Sequence, residues 1–243
     1  MIERYINNRV NAIWNDQNRF DTWKLIQEKY VETLEQLKIA EAGIAKKIRE
    51  AEVSKEEVYK QEEVTNHDLA SFVDILQKKV GEGSNWIHYG LTSSDIVDSA
   101  NSLLILQSIE IAQELILDLL KELKLKAIKN KDTKIIGRTH GVYAEETFLG
   151  NIFGNWYLEI KRSLDRVERA KVSIAYGKLS GPVGNHTVVT EEMEKITLEK
   201  LGLKPEIFAS QIVSRDRYAE VFTSLSILAS TYERISTNLR SYQ

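Results

Sequence analysis

Residues 102–120 read SLLILQSIEIAQELILDLL. The run is greasy enough to raise the question of a membrane span, but Gln107, Glu110, Gln113, Glu114 and Asp118 fall inside it. Those side chains are poor material for hydrocarbon and good material for a bundle helix. The leucines and isoleucines go most of the way round the helix, the pattern of an element buried on several sides. The helical signal extends outward to roughly Ser94 and Asn130, which at 1.5 Å per residue makes a rod about 50 Å long. The fold is therefore decided by long helices that pack against one another.

The rest of the chain agrees. Two prolines in 243 residues leave little to interrupt helices. Trp23, Ile26, Tyr30, Leu34 and Leu37 follow three- and four-residue spacing, one apolar helix face. Ser54 and Glu57 read as a capping box. Thr65 and Asp68 open a further helix that Gly81 can stop. A second long helix is expected from about Ala144 to Ala175, and a third from about Ser214 to the last residue. Between these lie the turn YGKLSGPVGNH (176–186) and a short helix ending KLGLKP (200–205), with Gly202 and Pro205 as stop signals. No strand alternation persists long enough to build a sheet. The expectation is an all-α protein: an N-terminal helical domain over residues 1–93, then long helices of a central bundle over 94–243, incomplete at its C-terminal end.

Three such helices are too long to be covered by the remainder of the chain, so their apolar faces are expected to be buried against other subunits. Gly150 and Gly154, four apart, either allow close helix approach or are ordinary helix-face glycines. Phe222, Leu225, Leu228, Tyr232, Ile235 and Leu239 keep helical spacing almost to Gln243 with no stop signal, which reads as the N-terminal portion of something longer.

Composition narrows the function. Apolar content of 42% and charged content of 28% are those of a soluble globular protein. A net charge of −3 gives no electrostatic reason to expect nucleic acid. The chain has no cysteine, which excludes disulfides, thiolate metal sites and a cysteine nucleophile, and suits a reducing cytoplasm. The opening MIERYINNRV lacks a signal-peptide core. No phosphate loop, dinucleotide fingerprint or His-Glu-x-x-His is present, so no cofactor or metal is expected.

Four histidines remain: His67, His88, His140 and His186. The first three stand at element boundaries among Asn, Thr, Ser, Asp and Gly rather than on apolar faces. In HYGLTSSD (88–95), Thr92, Ser93 and Ser94 offer hydroxyls at a helix start, an arrangement suited to a carboxylate or phosphate; a plain N-cap with Asp95 in the first turn is the simpler reading. In GRTHG (137–141), His140 is either a structural corner or half of a proton-transfer pair. Together these residues favour a polyanionic ligand with histidine acid–base chemistry.

The segments NHD (66–68), HYGLTSSDIVD (88–98), IIGRTHGVYAEE (135–146) and SGPVGN (180–185), with the opening RY and the later QIVSRDRYAE (211–220), resemble the adenylosuccinate lyases of the fumarase/aspartase superfamily, and the resemblance spans the chain. It implies β-elimination of fumarate from adenylosuccinate to give AMP, and from the succinylated aminoimidazole carboxamide ribotide, in purine biosynthesis. Residue by residue, it makes His140 the general acid and His67, with Asn66 and Asp68, the segment that contacts substrate and assists that acid. It makes Thr92 and Ser93 a hydroxyl pair for a succinyl carboxylate, with His88 in the same wall. Arg4 and Tyr5 would bind the nucleotide, and Gln211 and Arg215 would be later substrate contacts. The sequence departs from the family at Tyr143, usually His, at Glu146, usually Pro, at Pro182, usually a small residue, and at Tyr218 of RDRY, usually His. The family's signature loop, Ser-Ser-x-Met-Pro-x-Lys-x-Asn with the base serine, should follow residue 243, as should a C-terminal helical domain. The resemblance also implies a cytoplasmic homotetramer whose active sites are shared between subunits, with the chain alone inactive. The competing readings are another fumarate-releasing lyase, such as one acting on argininosuccinate, and a non-catalytic helical scaffold.

Overall fold

The computed structural model describes residues 3–242. A 3-10 turn at Glu3–Tyr5 leads into α1 (Asn8–Ile13), α2 (Asp16–Gln36), α3 (Ile44–Glu50), α4 (Lys55–Thr65), α5 (Asp68–Val80) and α6 (Ser93–Lys129). Then come β1 (Lys134–Thr139), β2 (Val142–Phe148), α7 (Leu149–Ile174), β3 (Tyr176–Gly177), α8 (Glu191–Lys200), β4 (Lys204–Pro205) and α9 (Asp216–Ser241). The chain forms two compact units, residues 1–108 with 174–215, and residues 109–173 with 216–243.

In the first unit α2 is the axis of the core. Phe20, Trp23, Ile26, Tyr30 and Leu34, the apolar stripe visible in the sequence, are all buried. Phe72 of α5 stacks on Phe20 at 6.0 Å and meets Trp23 edge-on at 5.6 Å. Burying each such side chain stabilises the fold by roughly 2 kcal/mol. α4 opens with the capping box: Ser54 Oγ accepts from Glu57 N at 3.3 Å, and Glu57 Oε2 accepts from Ser54 N at 3.1 Å. The N-cap of α5, by contrast, is His67 rather than Thr65. The Thr65 hydroxyl instead donates to the His67 carbonyl at 3.1 Å, closing the turn between α4 and α5.

In the second unit the buried residues follow helical spacing on each long helix. They are Ile109, Ile116, Leu120 and Leu123 on α6, Trp156, Ile160, Leu164 and Val167 on α7, and Val221, Leu228 and Ile235 on α9. Each helix also exposes apolar side chains: Leu117, Leu125 and Ile128 on α6, Leu158 and Val172 on α7, Phe222 and Leu239 on α9.

The mostly helical architecture is the all-α fold expected, and one local feature departs from the reading of its segment. Residues 134–148 form an antiparallel hairpin, with Lys134 opposite Phe148 and Thr139 opposite Val142, so α7 begins at Leu149 rather than near Ala144. Two central residues, His140 and Gly141, make the turn with φ of 55° and 76°. Positive φ at both positions matches the twist of a two-residue hairpin and is the reason glycine follows the histidine. Ala144, Glu145 and Glu146 are good helix formers, but cross-strand contacts override that propensity: Arg138 lies over the Tyr143 ring at 5.2 Å and Lys134 pairs with Glu146 at 2.9 Å. Two family departures, Tyr143 and Glu146, are thus hairpin contacts in this chain.

Of the two α7 glycines, only one sits at a close approach. A Cβ at Gly150 would lie 2.6 Å from the Ala127 carbonyl oxygen, whereas Gly154 has nothing within 4 Å.

Candidate functional site

In the first unit three segments meet. α4 ends at Asn66, which takes the left-handed conformation (φ 54°) and turns the chain sharply. That turn presents His67, whose Nδ1 accepts from Ala70 N at 3.5 Å as the N-cap of α5 and also lies 3.3 Å from Asp68 Oδ1. The other ring nitrogen, Nε2, is 3.3 Å from the hydroxyl of Ser93, the first residue of α6. The NHD and HYGLTSSD segments, read separately in the sequence, are therefore in contact.

The start of α6 is not a plain N-cap. Asp95 is fully buried, and its Oδ2 accepts from the N–H groups of Thr92 at 2.8 Å and Gly181 at 3.2 Å. Its Oδ1 pairs with Lys178 Nζ, also fully buried, which donates in addition to the Gly181 carbonyl at 2.8 Å. Burial pushes the Asp95 carboxyl up, and Lys178 and the two N–H donors pull it back. The network holds the Thr92–Ser93 hydroxyl pair and the SGPVG turn in one register. The same turn is braced from α8, where Glu194 accepts from Leu179 N at 2.6 Å and His186 Nε2 lies 3.6 Å from the second oxygen. Burial raises the Glu194 carboxyl.

His88 also takes a positive φ, 63°. Gln27 of α2, fully buried, holds it at two points: Oε1 accepts from His88 N at 2.9 Å, and Nε2 stands 3.0 Å from His88 Nδ1. Burial, reinforced by the nearby His67, lowers the His88 pKa to about 4. The ring is therefore neutral at ordinary pH.

The other nominated residues are more scattered. Arg4 lies 5.0 Å from the Tyr5 ring centroid, and Tyr5 is exposed. Gln211 is exposed. Arg215 spends two guanidinium N–H groups on Asp98, at 3.0 Å each, an ion pair that Val213 N joins at 2.8 Å. His140 belongs to the second unit, at the exposed tip of the β1–β2 turn. A cavity of about 390 Å³ in that unit is lined by Arg138, Asn155, Arg234 and Asn238 among others, but Arg234 is already paired with Glu159.

Sequence reasoning missed Gln27, Lys178 and the depth of Asp95. Gln27 had a signal: it falls on the same face as Trp23 and Tyr30, where a polar residue must find a partner. A lysine among small and apolar residues in YGKLSG was a weaker one.

No described helix is long and apolar enough to cross a membrane. Residues 8–243 match the family model described as lyase. Over its full length the chain is 39% identical to an adenylosuccinate lyase of Thermotoga maritima and 39% identical to one of Aquifex aeolicus, spanning 57% and 56% of those proteins. A crystal structure of a fumarate lyase from Mesorhizobium sp. BNC1 shares the fold, with a TM-score of 0.88 at 19% identity over 96% of this chain and 57% of that one. The chain spans little more than half the length of the curated relatives it matches, and it belongs to the lyase family.

Proposed function

We propose that the chain is the acid-bearing, substrate-binding portion of an adenylosuccinate lyase. The observation that carries this reading is the contact between His67 Nε2 and Ser93 Oγ at 3.3 Å, which joins two of the segments that carry the resemblance to those enzymes. In the reaction a base removes a proton from the succinyl carbon next to a carboxylate. The C–N bond breaks, the C=C bond of fumarate forms, and the nitrogen of AMP leaves with a proton from the acid. Negative charge develops on the succinyl group, and hydroxyl and N–H donors stabilise it best when they are fixed beforehand. Thr92 and Ser93 fit that task because Asp95 fixes the backbone at Thr92 and His67 stands against Ser93. His140 is the acid and Arg4 with Tyr5 the nucleotide-binding pair. In this reading Gln211 and Arg215 are further substrate contacts. The same chemistry extends to the succinylated carboxamide ribotide of purine synthesis.

Residues 1–93 form the N-terminal domain and 94–243 part of the central bundle in this reading. The apolar side chains exposed on α6, α7 and α9 support association with other subunits, and in this reading the assembly is a cytoplasmic homotetramer with shared sites. Light scattering should then report association; a monodisperse monomer would count against the tetramer. The functional test is to incubate the chain with adenylosuccinate, alone and with the remaining portion of a relative supplied in trans, and follow AMP and fumarate. Turnover on complementation, abolished by His140→Ala, is expected. No turnover in the complemented mixture would favour a non-catalytic scaffold.

A further inference from the structure

His88 is gripped by one side chain at both its backbone and its ring. The backbone N–H of His88 can only donate, so the Gln27 atom facing it at 2.9 Å must be the amide oxygen. The orientation of the amide follows: the opposite flip would set two donors against each other. The Gln27 NH2 then faces His88 Nδ1 at 3.0 Å, and an NH2 group has no lone pair to offer. Nδ1 must therefore accept, and the single hydrogen of the neutral ring sits on Nε2. Among the described residues Nε2 makes no hydrogen bond. The left-handed backbone at residue 88 keeps its N–H turned toward Gln27, and Gln27 is locked because it is wholly buried beside Trp23 and Tyr30 on α2.

We propose that Gln27 is a positioning residue that fixes His88 as the neutral Nε2–H tautomer, making it a hydrogen-bond donor to an acceptor oxygen of the bound anion rather than a cation or a base. The second half of this statement rests on the lyase reading above; the first does not. A donor of this kind strengthens its bond as negative charge builds on the ligand. His67 is the titratable side chain that acts on His88, and its effect opposes protonation.

The test uses the full chain labelled with ¹⁵N at histidine. It has four histidines, so the His88 signals are identified by their loss in His88→Gln. Imidazole nitrogen shifts are followed across about pH 5 to 8, the range in which an unperturbed histidine changes charge. In the unmodified chain His88 should remain neutral and show one tautomer, Nε2–H, throughout. Gln27→Met, which keeps the shape and removes both bonds, should mix the two tautomers. Gln27→Glu sets a carboxylate against Nδ1 and should turn His88 into an imidazolium at neutral pH. A purely structural glutamine would leave tautomer and charge unmoved in both variants, which would overturn the proposal. So would an Nδ1–H or charged His88 in the unmodified chain, a measurement that needs no variant to fold. The spectra need no substrate, so a chain that shows the expected tautomer but never turns over adenylosuccinate would overturn the lyase reading and leave the role of Gln27 standing.

Discussion

Lys178→Met isolates the cost of leaving a buried charge alone. Lys178 and Asp95 are both fully buried, and methionine nearly matches the volume of the lysine stem, so the change removes charge rather than packing. Asp95 keeps its two backbone N–H donors, Thr92 and Gly181, while the Gly181 carbonyl loses its lysine donor. Breaking one side of a buried pair costs about 3–5 kcal/mol, because the surviving ion stays desolvated. Lys46→Met is the control. Lys46 and Glu50 are 73% and 65% exposed and 3.8 Å apart, and an exposed pair of that kind contributes about 0–1 kcal/mol. The pH dependence follows from the direction of the Asp95 shift. Without Lys178 the folded carboxyl rises further above its unfolded value of about 3.9, so the folded state holds the proton more tightly. The destabilisation should be full above the raised value and should shrink as pH falls toward the unfolded one. Asp95→Asn combined with Lys178→Met removes the charge and should recover part of the loss. Urea unfolding followed by tryptophan emission reads all four chains. A loss in Lys178→Met no larger than in Lys46→Met would refute the reasoning.

Two further outcomes can be checked with the same unfolding assay. Gly150→Ala places a methyl group 2.6 Å from the Ala127 carbonyl oxygen and 2.8 Å from Lys131 Cα, an overpacking that should cost about 1–3 kcal/mol, while Gly154→Ala meets nothing and should stabilise by up to about 1 kcal/mol through helix propensity. A destabilised Gly154→Ala would mean that α7 has a neighbour there. His88, with its pKa lowered to about 4, binds a proton in the unfolded chain near pH 6.5 but not in the folded one. Stability should therefore fall as pH drops from about 6.5 to about 4, by about 3 kcal/mol in all, and His88→Gln should lose that share of the slope. An unchanged slope would place the lowered pKa elsewhere.

How much of this was legible in advance depended on the range of the interactions. The α2 stripe, the Ser54–Glu57 box and the span of α6 were readable because each is set by residues within a few positions of one another. The β1–β2 hairpin was not, because its signal is a His-Gly turn in place of the familiar Asn-Gly, and because Ala144–Glu146 favour a helix until Arg138 and Lys134 pair with the opposite strand. The choice of His67 over Thr65 as cap turned on which side chain faces Ala70 N, a matter of geometry that spacing leaves open. At the candidate site the polar residues were nominated from their motifs. Their supports were not: Gln27 lies 61 residues from His88, and Lys178 lies 83 from Asp95.

Those supports are better understood as placement than as stabilisation. Desolvating Asp95 and Lys178 costs several kcal/mol per ion, and their attraction does little more than offset it, so an apolar pair of similar volume could hold the core equally well. What an apolar pair could not do is accept the N–H groups of Thr92 and Gly181 and thereby lock two loops from distant parts of the chain into one register. Gln27 stands in the same position: a leucine would pack beside Trp23 and Tyr30, but it would release the His88 backbone from its left-handed conformation and leave the ring free to choose its tautomer. Both buried polar groups end at residues that line the candidate site. The first unit therefore accepts desolvation in its core to hold hydroxyls and a half-buried imidazole still, and under the proposed lyase function a ligand that gains negative charge would meet donors already in place.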